Sequence, residues 1–247
     1  MNNAKFAIVT GATGLIGRQI CADLAQKGYD LLAVYGSDDA KADALSTEIS
    51  TQSKRTVHLL KADLASPEAG QNIVREGLAK SSQIHLVVAC AGLKLRKATM
   101  FTNRADMEKV FAVNTFSVMD LCRSVLRPMM RARSGRIVII GSYAGENGLS
   151  GQTLYSASKA ALSGWTKALA SEVGASNITV NLISPGAIDD PSDDIYSEED
   201  VQKATENIAN RRLGTPAEVS ACVTFLASDA AAYCNGTCIA VDGGARF

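Results

Sequence analysis

The sequence predicts a doubly wound α/β domain, a parallel sheet of about seven strands with helices on both faces. Three observations predict it. Apolar runs of strand length alternate with helical runs along the whole chain. Most of those apolar runs are continuous, as strands buried on both faces require. The first is followed at once by a glycine-rich turn that opens a helix. At 247 residues and 47% hydrophobic content, the chain can bury one large core. No linker, repeat or low-complexity tract divides it, so residues 1–247 read as a single domain.

The elements follow in order. Lys5 to Thr10 is the first strand. The turn Thr10-Gly11-Ala12-Thr13-Gly14-Leu15-Ile16-Gly17 leads into a helix from about Leu15 to Lys27. Backbone N–H groups and the helix dipole make such a turn an anion site, and its glycines let a pyrophosphate approach. A glycine turn without a ligand has the same local pattern. The second strand is Asp30 to Tyr35, before a helix from about Asp39 to Ser50. The third is Thr56 to Leu60, running on to Asp63, and a helix around Pro67 to Lys80 follows. Next come strand Ile84 to Ala89, a long helix from about Arg104 to Arg131, and strand Arg136 to Ile140. A helical run from Tyr155 to Val173 precedes strand Ile178 to Ile183. An irregular acidic segment, a helix near Pro216 to Ala227 and a strand from Thr237 to Val241 complete the pattern.

Composition excludes several classes. Formal net charge is zero, which gives no general argument for nucleic-acid binding. No apolar run approaches the roughly 18 residues of a membrane span. The opening Met1-Asn2-Asn3-Ala4-Lys5 leads straight into a strand, giving the expectation of no signal peptide and a cytoplasmic protein. The cysteines Cys21, Cys90, Cys122, Cys222, Cys234 and Cys238 are scattered and read as reduced thiols. Only Cys234 and Cys238 lie close, and no histidine completes a zinc site near them. His58 and His85 sit within or beside strands and read as structural.

The chemistry concentrates between Gly141 and Lys159. Ser142 stands where an apolar strand ends, and Tyr155 and Lys159 open the next long helix. A spacing of four stacks phenol and ammonium on one helix face, about 6 Å apart along the axis. Ser142 can meet that face across the loop. The ammonium favours the phenolate, lowering the phenol pKa from its reference of about 10. Bringing it near neutrality takes about 3 units, or roughly 4 kcal/mol. Taken alone, a Tyr-x-x-x-Lys pair also fits an ordinary helix surface.

The glycine turn, Asn114, Ser142, Tyr155, Lys159 and Pro185-Gly186 occur in an order and spacing that resembles the short-chain dehydrogenase/reductase family over essentially the whole chain. Gly151-Gln-Thr-Leu-Tyr-Ser-Ala-Ser-Lys-Ala-Ala-Leu-Ser-Gly164 is similar to the corresponding stretch of 3-oxoacyl-[acyl-carrier-protein] reductases. So are Arg212-Leu-Gly-Thr-Pro-Ala-Glu218, Phe225-Leu-Ala-Ser-Asp-Ala-Ala-Ala-Tyr233 and Val241-Asp-Gly-Gly244. The resemblance implies a Rossmann-type fold and an NAD(P)-dependent oxidoreductase. It implies that Tyr155 donates a proton to the carbonyl oxygen, Ser142 hydrogen-bonds that oxygen, and Lys159 holds the nicotinamide ribose and tunes Tyr155. Asn114 would support a water relay to Lys159. The implied cofactor contacts are Gly11, Thr13, Gly14, Leu15, Ile16, Gly17, Gly36, Ser37, Asp63, Leu64, Ala91, Gly92, Tyr155, Lys159, Pro185, Gly186 and Ile188. Asp63 would take the adenine amino group, and backbone near Ile188 the carboxamide.

The chain departs from the family at several points. Leu15 stands at a usual glycine, with Gly14 before it. Ala89-Cys90 replaces two asparagines, weakening the case for tight cofactor binding, and Asp190 stands where threonine is common. No acidic residue ends the second strand at Tyr35, so NAD loses its usual signature. NADPH is the expected cofactor, with Ser37 a candidate for its 2′-phosphate and Asp38 and Asp39 opposed unless they point away. Lys94, Arg96 and Lys97 follow the fourth strand, and Arg123, Arg127, Arg131, Arg133 and Arg136 lie along and beyond the long helix. Arg123, Arg127 and Arg131 share a face that could dock an acidic acyl carrier protein; the same cations could simply be solvated. Against docking, Ser171 replaces a common arginine, and Asp189, Asp190, Asp193, Asp194, Glu198, Glu199 and Asp200 make the expected substrate lid acidic. The readings are a 3-oxoacyl-carrier-protein reductase, an oxidoreductase of a free small ketone or alcohol, and a non-catalytic scaffold. The resemblance implies a homotetramer or homodimer, for which Phe111, Phe116, Trp165 and Leu169 are candidate packing residues.

Overall fold

The computed structural model describes residues 4–190 and 197–246. Seven parallel strands form one sheet in the order β3-β2-β1-β4-β5-β6-β7. They are β1 Lys5–Thr10, β2 Tyr29–Tyr35, β3 Val57–Lys61, β4 Leu86–Ala89, β5 Gly135–Ile140, β6 Ile178–Pro185 and β7 Cys238–Val241. The chain winds outward from β1 to β3, then returns to β4 beside β1 and winds the other way. That reversal leaves a crevice at the carboxyl ends of β1 and β4, where open α/β sheets bind ligands.

Strand alternation divides the core in two. Phe6, Ile8, Leu32, Val34, Val87, Ile137, Ile139 and Val180 face one layer, built from α3 Ala69–Lys80, α5 Ser117–Ala132 and α7 Thr153–Val173. Ala7, Val9, Leu31, Ala33, Leu86, Val88 and Val138 face α1 Leu15–Gln26, α2 Asp39–Ser53 and α9 Pro216–Leu226 on the other. Every residue of β4, β5 and β6 is buried, including the polar Arg136, Thr179, Asn181 and Ser184.

Local chemistry sets the element ends. The chain leaves α2 and α5 through left-handed residues, Lys54 and Arg133. The stretch Arg212 to Glu218 is a helix-start device. Thr215 Oγ1 accepts from Glu218 N, the Glu218 carboxylate accepts from Thr215 N at 2.8 Å, and Pro216 fills the first turn. Arg212 also donates to that carboxylate, and these bonds hold Glu218 down to about 2.

Three expectations change. The long helix is interrupted: α4 Arg104–Phe111 and α5 flank a π-helical turn, Ala112–Phe116. A short helix, α6 Tyr143–Asn147, follows β5. The acidic segment is not wholly irregular, because α8 Glu198–Glu206 forms within it. Asp193 and Asp194 lie outside the described residues. No described helix is long and apolar enough to cross a membrane.

Candidate active site

The glycine turn is built by close approach. Gly11 has φ +66°, and a Cβ there would stand 2.8 Å from the Ala91 Cα. A Cβ on Gly17 would stand 2.1 Å from the Gly11 carbonyl oxygen. Gly14 takes the N-cap position of α1 with no side-chain cap, so the first-turn N–H groups stay unclaimed by a side chain. The Leu15 side chain begins the helix and joins the cleft wall. The backbone at Cys90 and Ala91 is tied to β1. The buried Thr10 hydroxyl accepts from Cys90 N at 3.2 Å and Ala91 N at 3.3 Å, bracing the ends of β1 and β4.

A cleft of about 1630 Å³ opens over these strand ends. Gly11, Gly14, Leu15, Ile16, Gly17, Gly36, Ser37, Asp63, Leu64, Ala91, Gly92, Ser142, Tyr155, Lys159, Pro185, Gly186 and Ile188 all line it. Thr13 and Asn114 do not. Thr13 is half-buried on the turn, while Asn114 is wholly buried behind the wall. Sequence reasoning missed Lys61, Tyr143, Leu149, Gln152, Lys203 and Leu213, which also line the cleft. Lys61 ends β3 directly opposite Tyr35 at the end of β2, a pairing that only the fold reveals.

Asn114 is a brace. Its Oδ1 accepts from Leu93 N at 2.7 Å, and its Nδ2 donates to Leu93 O and Ser158 Oγ, each at 3.0 Å. The next residue of the π turn, Thr115, donates to Ser158 O at 2.9 Å. Ser158 Oγ in turn donates to Tyr155 O at 2.7 Å. The turn thus aims two consecutive side chains at the α7 residue between Tyr155 and Lys159. A side-chain amide so engaged positions the loop and the helix, and does not reach the cleft.

Ser142, Tyr155 and Lys159 all line the cleft. Ser142 N-caps α6, its Oγ accepting from Ala144 N at 3.2 Å. That fixes the oxygen and leaves its O–H able to donate. Tyr155 lies in the first turn of α7, where the helix dipole favours negative charge. Lys159 is 4% exposed, and its Nζ donates to Ile140 O at 2.8 Å. Burial pulls Lys159 down to about 8, against a small opposing effect of Cys90. Burial pushes the Cys90 thiol up to about 12, so it stays protonated and inert beside the site. A Cβ on Gly92 would stand 3.4 Å from Lys159 Nζ.

The cationic residues divide. Lys94 and Arg96 line the cleft, and Lys97 pairs with Asp106 at 2.6 Å. Arg123 pairs with Asp120 on α5. Arg136 does not belong with the α5 arginines: it is buried on β5, 3.6 Å from Asp229. Arg133 reaches back to Ala175 O at 3.2 Å. Arg127 and Arg131 are exposed toward the far end of α5. His85 is structural as expected, Nδ1 accepting from Phe6 N at 3.0 Å. Among the described residues, no His/Cys/Asp/Glu group could hold a metal ion.

The cleft fits a dinucleotide. A helix N-terminus without a side-chain cap suits the pyrophosphate, and Gly186, whose Cβ would stand 2.8 Å from Asp242 Cα, keeps the backbone close at the other end. Comparisons agree with that shape. A family model described as enoyl-(acyl carrier protein) reductase matches residues 11–246. The chain is 34% identical to the 3-oxoacyl-[acyl-carrier-protein] reductase FabG of Chlamydia trachomatis, over 97% of this chain and 96% of that one. It is 34% identical to the acetoacetyl-CoA reductase of an Acinetobacter species, over 99% and 98%. A short-chain dehydrogenase/reductase of Serratia marcescens superposes with a TM-score of 0.90 at 30% identity, covering 97% of each chain.

The buried ammonium predicts a pH signature in the nucleotide-free protein. Lys159 releases its proton near pH 8 when folded and at about 10.5 when unfolded, so the unfolded chain binds more protons between these values. Stability relative to Lys159→Met should therefore rise with pH, by about 2 kcal/mol between pH 7 and 10. Urea titrations of both proteins across that range check it; a flat difference would mean the ammonium is solvated.

Proposed function

Because the chain belongs to the short-chain dehydrogenase/reductase family of oxidoreductases, we propose that it reduces a 3-oxoacyl thioester to the 3-hydroxyacyl product with NADPH. The observation that carries this is the convergence of Ser142, Tyr155 and the buried Lys159 on one cleft, beside an uncapped helix N-terminus. When bound, the nicotinamide supplies the hydride for the carbonyl carbon. Tyr155 gives its phenolic proton to the carbonyl oxygen. Ser142, held by its cap bond, donates a hydrogen bond to the same oxygen. Lys159 holds the ribose hydroxyls, and its positive charge lowers the phenol pKa so that the proton can leave. The helix dipole stabilises the phenolate left behind. Asn114 keeps this geometry by tying Leu93 to α7, as a positioning residue. The scaffold reading has no support in a site with its three polar groups assembled.

The acyl group is presented on a carrier protein, with Arg127 and Arg131 as the docking face. The two stand late on α5, which runs away from the cleft; from Ser117 to Arg131 the helix rises about 21 Å. A carrier docked there reaches Tyr155 through an extended arm. Lys94 and Arg96, in the cleft wall, suit an anionic group on that arm. The same relationship to an acetoacetyl-CoA reductase supports a second reading, turnover of a carrier-free thioester.

Three outcomes are expected. Tyr155→Phe should lower turnover at least about a hundredfold while changing NADPH affinity little; retained turnover would remove Tyr155 as the acid. For reduction, which uses the protonated site, kcat/KM should fall as pH rises through about 8, where Lys159 loses its charge. Arg127→Glu with Arg131→Glu should raise KM about tenfold for carrier-linked substrate and leave the coenzyme A thioester unaffected; equal effects on both would dismiss the docking face.

A further inference from the structure

The ends of β2 and β3 hold a cluster that the catalytic reading does not use. Tyr35 and Lys61 are direct register partners, so their side chains leave the same face of the sheet. Both line the cleft with Gly36 and Ser37. Lys61 Nζ donates to both carboxylate oxygens of Asp39, at 2.9 and 3.0 Å, and the Tyr35 hydroxyl donates to Asp39 Oδ1 at 2.9 Å. The Lys61 ammonium, with the phenol behind it, holds the Asp39 carboxyl below its usual range. Asp38 is turned away into the helix start: its Oδ1 accepts from Lys41 N at 2.9 Å, and the Lys41 ammonium lies 3.3 Å from Oδ2. A Cβ on Gly36 would meet nothing within 4 Å, so the space in front of this cluster is open.

Resting on the NADPH reading above, we infer that Lys61 and the Tyr35 hydroxyl read the coenzyme's 2′-phosphate, and that Asp39 is the internal counter-anion that holds them ready and limits their grip. A carboxylate that accepts from an ammonium and a phenol occupies the donors a phosphate oxygen would take. The phosphate competes with Asp39 for Lys61, so discrimination is weaker than an unpaired lysine would give. The same pairing keeps Asp39 from accepting a 2′-hydroxyl, the contact that favours the coenzyme without phosphate. One lysine therefore serves both sides of the choice. Its loss exposes a carboxylate to the phosphate, and the loss of Asp39 frees the lysine for it.

The test is equilibrium titration of the full-length wild type, Lys61→Ala, Asp39→Asn and Tyr35→Phe with NADPH and with NADH. Binding is read by nicotinamide fluorescence, with a thermal melt to check folding. Lys61→Ala should weaken NADPH about tenfold without weakening NADH, and Asp39→Asn should tighten NADPH a few-fold. Tyr35→Phe should weaken NADPH less than Lys61→Ala does. Equal losses for both coenzymes in Lys61→Ala, no loss for either, or weaker NADPH binding in Asp39→Asn would overturn the assignment. A wild type that binds neither coenzyme would overturn the NADPH reading itself and this assignment with it. Tight wild-type NADPH binding that survives Lys61→Ala would overturn this assignment and leave the NADPH reading standing.

Discussion

The cleft is arranged around one buried ammonium. Lys159 lies where bulk water cannot solvate its charge, so its surroundings must do so. Ile140 supplies a carbonyl from the last residue of β5, and Gly92 lets the neighbouring loop pass without a side chain that would crowd the amine. The π turn follows from the same need. By placing Asn114 and Thr115 together on Ser158, it pins the α7 segment that carries both Tyr155 and Lys159. Dehydration also makes the lysine an effective partner for a phenol, because charge interactions strengthen as water is excluded.

Much of this was legible in the sequence because the relevant signals are local. Mostly apolar runs of strand length located the strands, and β1 fell on its expected bounds, Lys5 to Thr10. Ser142, Tyr155 and Lys159 could be grouped because two lie one helical turn apart and the third ends a strand. What stayed hidden depends on pairing across the fold. The Thr10 bond to Cys90 and Ala91 spans eighty residues of chain, so this brace was not visible in the local pattern. Lys61 gains meaning only from its register with Tyr35. Arg136 was placed on its strand from the sequence, but its burial against Asp229 depends on the fold. The π turn is a matter of hydrogen-bond register within a helical run, which composition does not display.

Charge is distributed between the two ends of the domain. The catalytic end has cations in the cleft wall, Lys94 and Arg96, and one beneath it, Lys159. The opposite end has Arg136 buried against Asp229, with Arg133 tied to a neighbouring turn. Those two serve the fold, while Arg127 and Arg131 on the exposed side of α5 remain open to a partner. Zero net charge conceals this division, because the acidic residues near α8 and the helix-capping carboxylates balance the cations. The β2–α2 turn balances its charge locally, with Asp38 and Asp39 each engaged by a lysine.

The central claim is that this cleft moves a hydride to a 3-oxoacyl thioester while Tyr155 supplies the proton. It is tested most directly by incubating the wild-type protein with NADPH deuterated at the transferred position and a 3-oxoacyl thioester, then weighing the product. One deuterium on the 3-carbon of a 3-hydroxyacyl thioester, in step with loss of the reduced coenzyme, is the predicted result. Tight coenzyme binding with no deuterium transferred, whether the acyl group is on a carrier protein or on coenzyme A, would contradict the account.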